Sequence, residues 1–471
     1  VTIDWATFGV DLHLELNLAG GRRAGLERAL RDAIRAGRLA PHTRLPSSRA
    51  LAAELGLARN TVAAAYDQLI AEGFLSARTG SGTVVAGQPQ SAPTPRRPAG
   101  TAQRPRYDLR PGSPDVSTFP TAAWLRSTRR ALASAPVATY DYGDTRGDLG
   151  LRTALAEYLG RTRGVVTSAD RIVVTSGYVQ ALALLTTALR SDGPAVVAME
   201  DPGLSFHRDV ARHAGATVVA LPADQRGART DLLSTVDYSM VRAAVLTPAH
   251  QYPTGVTLHP QRRQSAVGWA QLHNGLIIED DYDGEFRYDR QPVGALQGMA
   301  AERVAYIGTT SKTLGPALRL GWVVLPGWLV EPVRTAKLYA DVHTETIGQI
   351  ALADLIASHA YDRHIRAMRV RYRRRRDQLV ERITPLAGRG VTVQGIAAGL
   401  HALVGLPGPG SATDGVLARA ATHGLALTAL SEHWHRDGEH PAGLIVGYGT
   451  PGANNYPAAL DLLVRILRST S

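Results

Sequence analysis

The sequence predicts an open α/β domain preceded by a small, mostly helical module, and three observations carry that prediction. Gly275-Leu-Ile-Ile-Glu-Asp-Asp-Tyr282 and Arg303-Val-Ala-Tyr-Ile-Gly308 are short apolar runs ending in polar residues. That is the pattern of buried parallel strands that deliver side chains at their C-terminal edge, where open α/β sheets place ligands. Nearer the N-terminus the apolar residues fall at helical spacing instead. Between the two regions, Gly87-Gln-Pro-Gln-Ser-Ala-Pro-Thr-Pro-Arg-Arg-Pro-Ala-Gly-Thr-Ala-Gln-Arg-Pro-Arg106 has no acid and almost nothing to bury. It reads as a partly extended linker that can reach up to ~60 Å. It divides the chain into residues 1–86 and 107–471.

In the N-terminal module, Leu26, Ala29, Leu30, Ala33 and Ile34 mark one helix face, and Gly37 is placed to end that helix. Leu45-Pro46-Ser47-Ser48 offers a serine cap for a short helix through Leu55, and Gly56-Leu57 is a turn. Val62, Ala65, Tyr66, Leu69 and Ile70 give the buried face of a third helix. Gly73 to Val85 then reads as two short strands around a glycine-rich tip. Three helices and a hairpin predict a winged helix-turn-helix. In that fold the first turn of the third helix faces the major groove, so Arg59, Asn60 and Thr61 can read base edges. The module resembles the GntR family on Leu45-Pro-Ser-Ser-Arg-Ala-Leu-Ala, Arg59-Asn-Thr-Val-Ala-Ala-Ala-Tyr66 and Glu72-Gly-Phe-Leu. The resemblance implies that Arg49, Arg59 and Thr61 contact DNA, and that Gly80 and Gly82 let the wing approach the DNA backbone.

At 471 residues the chain is long enough for two or three domains. Hydrophobic residues at 44% and charged residues at 20% fit a soluble globular protein. No apolar run approaches the ~18 to 20 residues that span a bilayer. Asp4, Asp11 and Glu15 break any signal-peptide pattern. The absence of cysteine excludes disulfides, thiolate metal sites and cysteine nucleophiles, and fits a cytoplasmic location. A net charge of +11 favours a polyanionic partner.

Of 52 basic residues only two are lysines, Lys312 and Lys337. Where arginine meets every general demand for charge, a retained lysine suggests a need for its amine, because a guanidinium cannot form a Schiff base. Lys312 follows the predicted strand 303–308, which would bring Thr309, Ser311 and Lys312 to the edge that also receives Asp280. An amine, an acid, hydroxyls and an arginine are the set that pyridoxal phosphate (PLP) requires. The amine holds it, a carboxylate keeps the pyridine nitrogen protonated, and hydroxyls with an arginine grip the phosphate.

From about Tyr107 to Ser471 the chain resembles fold-type I aminotransferases. The landmarks are Phe119-Pro, Tyr142-Gly-Asp-Thr-Arg-Gly, Thr175-Ser-Gly177, Glu200-Asp-Pro-Gly203, Thr247-Pro-Ala-His-Gln-Tyr-Pro-Thr-Gly255, Glu279-Asp-Asp-Tyr282 and Ser311-Lys-Thr-Leu-Gly-Pro-Ala-Leu-Arg319. The resemblance implies that Lys312 forms the Schiff base with PLP and that Asp280 partners the pyridine nitrogen. Tyr282 would bond the ring 3′ oxygen, while Thr309, Ser311 and Arg319 hold the phosphate. Gly177, Tyr178 and Val179 form the phosphate-cupping turn before a helix expected over Ala181–Leu189. Tyr252 occupies the family's Asn position before Pro-Thr-Gly, and these four are counted as cofactor-contacting positions. Lys337 has no such setting and is expected to be a solvated helix residue.

The departures are specific. Tyr178-Val179 stand where Ser-Gln is usual, and Leu204 stands where an aromatic usually stacks on the pyridine. Near Ile445 an arginine that grips an amino-acid carboxylate is expected, and none is present. Losing that bidentate pair costs about 1.5–3 kcal/mol of binding. His433, His435, Arg436 and Arg208 are candidates for another effector subsite. The His433-Trp-His435 spacing is expected to be a loop fragment rather than a metal site, and no metal is expected elsewhere. Arg363 to Arg376 reads as a helix with a solvated, arginine-covered face.

A GntR-like module fused to an aminotransferase-like domain resembles the MocR/GabR family of bacterial transcription regulators. That resemblance implies a PLP-dependent regulator that binds double-stranded operator DNA and senses an amine-bearing ligand or PLP itself. It also implies a homodimer, with the winged helix of one chain packed on the large domain of the other. The alternative is an active aminotransferase with an accessory DNA-binding module.

Overall fold

A computed structural model describes residues 21–78, 82–87, 105–190, 193–288 and 293–469. It divides into two compact units, Val1–Gln103 and Arg104–Ser471.

The first unit has helices Arg22–Arg35, Ser48–Leu55 and Arg59–Ala71, followed by antiparallel strands Leu75–Arg78 and Gly82–Val85. The face expected from the sequence is the buried one: Leu26, Leu30, Ala33, Val62, Ala65 and Leu69 are fully enclosed. Burying each leucine stabilises by roughly 1.5–3 kcal/mol. Ser47 caps the second helix by accepting from Ala50 N at 3.2 Å. Gly56 ends that helix at φ 62°, a left-handed conformation that glycine adopts without strain. The Tyr66 hydroxyl donates to Pro46 O at 3.0 Å, tying the third helix to the segment before the second.

The second unit is built on an eight-stranded sheet. In spatial order its strands are Ile172–Thr175, Gly321–Val324, Val304–Thr309, Leu276–Asp280, Ala243–Leu246, Val196–Asp201, Thr217–Asp224 and Gly227–Ala228. The five strands from Val304–Thr309 to Thr217–Asp224 are mutually parallel, and Gly321–Val324 is antiparallel to both its neighbours. Strand periodicity sends Ile278 and Ile277 to opposite faces. Ile278 packs with Leu182 and Leu185 of helix Tyr178–Leu189, and Ile277 packs with Trp269 of helix Pro260–Leu272. Covering both faces explains why these strands read as continuous apolar runs. A four-stranded sheet, in order Thr392–Gln394, His401–Pro409, Pro441–Gly447 and Thr428–Ala429, packs with helices Ala360–Ile383 and Tyr456–Arg468. Among the described residues no helix is long and apolar enough to cross a membrane.

Two segments depart from the sequence expectation. Lys337 is fully buried, not solvated. Its ammonium donates to Asp341 at 2.9 and 3.0 Å, to Thr344 Oγ1 at 2.9 Å and to Gln180 Oε1 at 3.3 Å. The arginine-rich helix is also not solvated throughout. Arg375 is buried and bonds Tyr448 O, Gly449 O and Asp115, and Arg371 pairs with the same aspartate at 2.5 Å. Arg363, Arg366 and Arg373 remain exposed.

Candidate functional site

Because the central strands are parallel, their C-terminal ends share one edge, and each delivers a polar side chain there. Leu276–Asp280 brings Asp280, Val304–Thr309 brings Thr309, Val196–Asp201 brings Glu200, and Thr247 follows Ala243–Leu246. These residues line one cavity of about 510 Å³. Most of the site residues read from the sequence meet in it: Tyr178, Val179, Tyr252, Asp280, Tyr282, Thr309, Ser311, Lys312 and Arg319 all contribute to its wall. Gly177 stands directly behind. A Cβ there would lie 3.0 Å from Arg319 Nη2, and its φ of 107° already favours glycine. The phosphate-turn helix begins at Tyr178 rather than Ala181, with Gly177 as its N-cap. The amides of Tyr178 and Val179 are therefore among the unpaired donors of the helix N-terminus.

The Lys312 ammonium donates to the Gly112 carbonyl. Burial lowers the pKa of this amine, and the nearby Asp283 and Asp280 carboxylates oppose the shift. Asp280 is driven the other way: burial, then repulsion from Asp281 and Asp283, raise its pKa well above the usual carboxylate range. Its Oδ1 is buried without a partner. The Tyr178 hydroxyl lies beside it but makes no aligned bond. Thr309 Oγ1 donates to Ser311 Oγ at 2.9 Å and accepts from Ser311 N at 3.1 Å, so both hydroxyls sit at one corner. Arg319 is exposed at φ 52°, a left-handed conformation costly for a non-glycine residue.

In the first unit, Arg49, Arg59 and Asn60 are exposed and Thr61 is half-buried, the last three forming the first turn of the third helix. Gly82 opens the second wing strand at φ 86°, and Gly80 lies outside the described residues.

Residues 109–432 match the aminotransferase class I and II family, and residues 23–85 match the bacterial regulatory proteins of the gntR family. The chain is 32% identical over 433 residues to the HTH-type pyridoxine biosynthesis transcriptional regulator PdxR of Corynebacterium glutamicum, covering 90% of this chain and 91% of that one. It is 34% identical over 372 residues to the probable rhizopine catabolism regulatory protein MocR of Rhizobium meliloti, covering 74% and 75%. The chain belongs to the MocR family of HTH-type transcriptional regulators. Its large unit shares the fold of the kynurenine aminotransferase of Pyrococcus horikoshii, with a TM-score of 0.70 and 25% identity over 77% of this chain and 91% of that one.

Several residues of this MocR-family pocket escaped the sequence reading. His207 stacks on Tyr178 with ring centroids 4.2 Å apart, and its Nδ1 lies 4.0 Å from Asp280 Oδ2. Burial, then the Lys312 charge, depress its pKa to about 3. Glu200 accepts from the Thr247 hydroxyl and amide, and burial raises its pKa to about 7 against those bonds. His401 also lines the cavity. His207 lies three residues beyond the non-aromatic Leu204, a spacing that puts both near one helix face and could have flagged it. The other two come from positions whose convergence only the fold reveals.

The position expected to hold a carboxylate-binding arginine is apolar. Ile445 is fully buried with Leu403 and Leu430, and Tyr252 packs against that cluster. The Tyr252 hydroxyl lies 3.1 Å from His433 Nε2. Arg208 is buried and donates to the carbonyls of Gly203, His433 and Trp434, while Arg436 pairs with Asp201. His433 ends the short 3-10 helix Leu430–His433, and His433 and His435 bond different partners, Tyr252 and Arg212.

Proposed function

We propose that the large unit binds PLP, senses an amine-bearing ligand or PLP itself, and thereby controls operator binding by the winged helices of a homodimer. The observation that carries this reading is the meeting of Lys312 and Asp280 in one cavity, in a chain whose other unit is a winged helix.

The residues present fit the cofactor. Asp280 Oδ1 is a buried acceptor without a donor, and a protonated ring nitrogen is such a donor. Lys312 is the attachment point, and its depressed pKa favours the free amine that attachment needs. Thr309, Ser311, Arg319 and the Gly177–Val179 turn would hold the phosphate, and Tyr282 the ring oxygen. Bound PLP supplies a carbonyl carbon that can exchange one amine for another, and an electron-withdrawing ring.

What the chain does with an incoming amine follows from the apolar cluster at Ile445. With no cation there, an α-amino acid lacks one of the two anchors that orient it, and orientation supplies much of catalytic acceleration. Amine exchange therefore serves sensing better than turnover. A ligand can shift the DNA-binding state only through differential affinity for two arrangements of the molecule. The homodimer in this reading follows from the resemblance to the family, and a two-fold pair of winged helices would suit an operator with two half-sites.

The test is operator binding by the purified protein with PLP and with a panel of amines, alongside product formation over many protein equivalents. The expected outcome is a ligand-dependent change in DNA affinity with little sustained turnover. Robust turnover with no ligand effect on DNA would establish instead an aminotransferase carrying an accessory DNA module.

A further inference from the structure

Asp283, the last acid of Glu279-Asp-Asp-Tyr-Asp283, lies behind the cavity wall rather than in it. Asp283 is 2% exposed, and its Oδ2 lies 2.9 Å from Nδ1 of His250, itself 3% exposed. A ring nitrogen this close to a carboxylate carries the proton and donates it. The Tyr282 hydroxyl donates to the His250 carbonyl at 3.1 Å and sits 3.3 Å from the same Nδ1. One histidine therefore meets the phenol oxygen with both its ring and its backbone, while the aspartate orients the ring. Tyr252 is edge-on to Tyr282 at 6.5 Å, but its hydroxyl is directed to His433.

The enclosure of this pair is specific. Gly399 lies against it at φ 70°, and a Cβ there would fall 2.2 Å from His250 Cε1 and 2.4 Å from Asp283 Oδ2. The Gly399 carbonyl is fixed in turn by the hydroxyls of Tyr288 at 2.6 Å and Tyr448 at 2.8 Å. His401 packs on the His250 ring with centroids 4.9 Å apart, between it and the cavity. The ionisable groups facing the phenol are Asp280 and Asp283 on its own segment, with Tyr252 and Tyr448 from others. Lys312 adjoins Asp280 and Asp283, and His401 adjoins His250.

We propose that His250, oriented by Asp283, is a positioning residue for Tyr282 that sets how strongly the phenol donates to the ring oxygen of the cofactor. This rests on the PLP reading above. The phenol has one proton, which His250 O accepts while no ligand oxygen competes. When that proton turns to the cofactor, the phenol oxygen, 3.3 Å from Nδ1, takes the weaker branch of a three-centre bond whose main acceptor is Asp283 Oδ2 at 2.9 Å. Donation to a hydroxyl oxygen polarises its O–H and strengthens the bond it gives. Donation to the ring oxygen favours the anionic form of that oxygen, so weakening it raises the pH at which the bound chromophore titrates.

The experiment follows the absorption of the bound cofactor against pH in the full-length protein, in a double-mutant cycle of His250→Gln and Tyr282→Phe. His250→Gln is expected to raise the titration midpoint by about one pH unit, and by less than about 0.3 unit when Tyr282 is already phenylalanine. Should His250→Gln not fold, the cycle of Asp283→Asn with Tyr282→Phe reads the same coupling through the carboxylate that shares Nδ1 with the phenol. There the Asp283→Asn shift must shrink when the phenol is removed. An unchanged midpoint, or equal shifts in both backgrounds, overturns the proposal while leaving the PLP reading intact. A wild-type protein that never acquires a cofactor absorption band overturns both.

Discussion

Lys312 and Asp280 share one cavity in which burial discourages the charge on each: Lys312 opposes the shift of Asp280, while Asp283 and then Asp280 oppose that of Lys312. Lys312→Ala is expected to abolish the long-wavelength absorption of bound PLP and its trapping by borohydride, with the fold retained. Lys312→Arg should not restore either, because a guanidinium is never a free amine. A stoichiometric borohydride-trapped adduct in the alanine variant would contradict the assignment. Glu200 leads to a prediction in pH. Its folded pKa, about 7, lies above its unfolded value near 4.5. The stability it contributes is therefore complete below about pH 4.5 and lost as pH rises through about 7. Denaturant midpoints of Glu200→Gln and wild type, compared from pH 5 to 8, should move in the variant's favour as pH rises. Lys312 was legible in the sequence because lysine is so rare in this chain. Lys337, equally rare, was misread because its cage comes from Gln180, 157 positions away, as well as from its own helix and the turn after it.

At the scale of elements, the third helix of the small unit presents Arg59 and Asn60 to solvent from its first turn, while Val62 and Ala65 face the core. Arg59→Ala is expected to cost about 1–3 kcal/mol of operator affinity and to relax sequence preference, as for a base-reading arginine. Uniform weakening across sequences, measured by titration of variant operators, would reassign Arg59 to the phosphates. In the large unit, Lys337 links helix Val330–Asp341 to Gln180, whose Oε1 also accepts from Ser176 N at 2.8 Å in the phosphate turn. Lys337→Met should destabilise by about 1–3 kcal/mol, through loss of its charge-assisted bonds to Asp341, Gln180 and the buried Thr344 hydroxyl. Thermal melts in the absence of cofactor check this. The strands at 276 and 304 were legible because an apolar run closing on acids, in the first, or on hydroxyl residues, in the second, fits few alternatives. The start of helix Tyr178–Leu189 was not, since Tyr178 and Val179 carry no capping signal and the cap is the conformation of Gly177.

For the whole molecule, the order of a winged helix and an aminotransferase-like unit was readable because each keeps its own periodicity and the linker between them has neither. Residues 107–471 alone are expected to lose specific operator binding, and retention at full affinity would place the DNA site outside the first unit. The linker arginines Arg96 and Arg97 lie outside the described residues. Their replacement should lower affinity alike for all sequences and flatten its dependence on salt if they meet phosphate. What could not be read was convergence at the cavity, since Glu200 lies in one strand, His250 and Asp283 follow two others, and His401 opens a strand of the smaller sheet, with no common spacing. The chain's two lysines also have a joint consequence. Lys337 is sealed inside the protein, and Lys312 faces the cavity with its ammonium held by Gly112 O. The positive surface is therefore arginine throughout, and guanidinium does not react with the acyl donors that neutralise lysine. Acylating reagents and acetyl-transferring enzymes meet no lysine on the outside of this molecule, so its attraction for polyanions is fixed against that chemistry. A carbonyl compound small enough to enter the cavity meets the one side-chain amine within its reach.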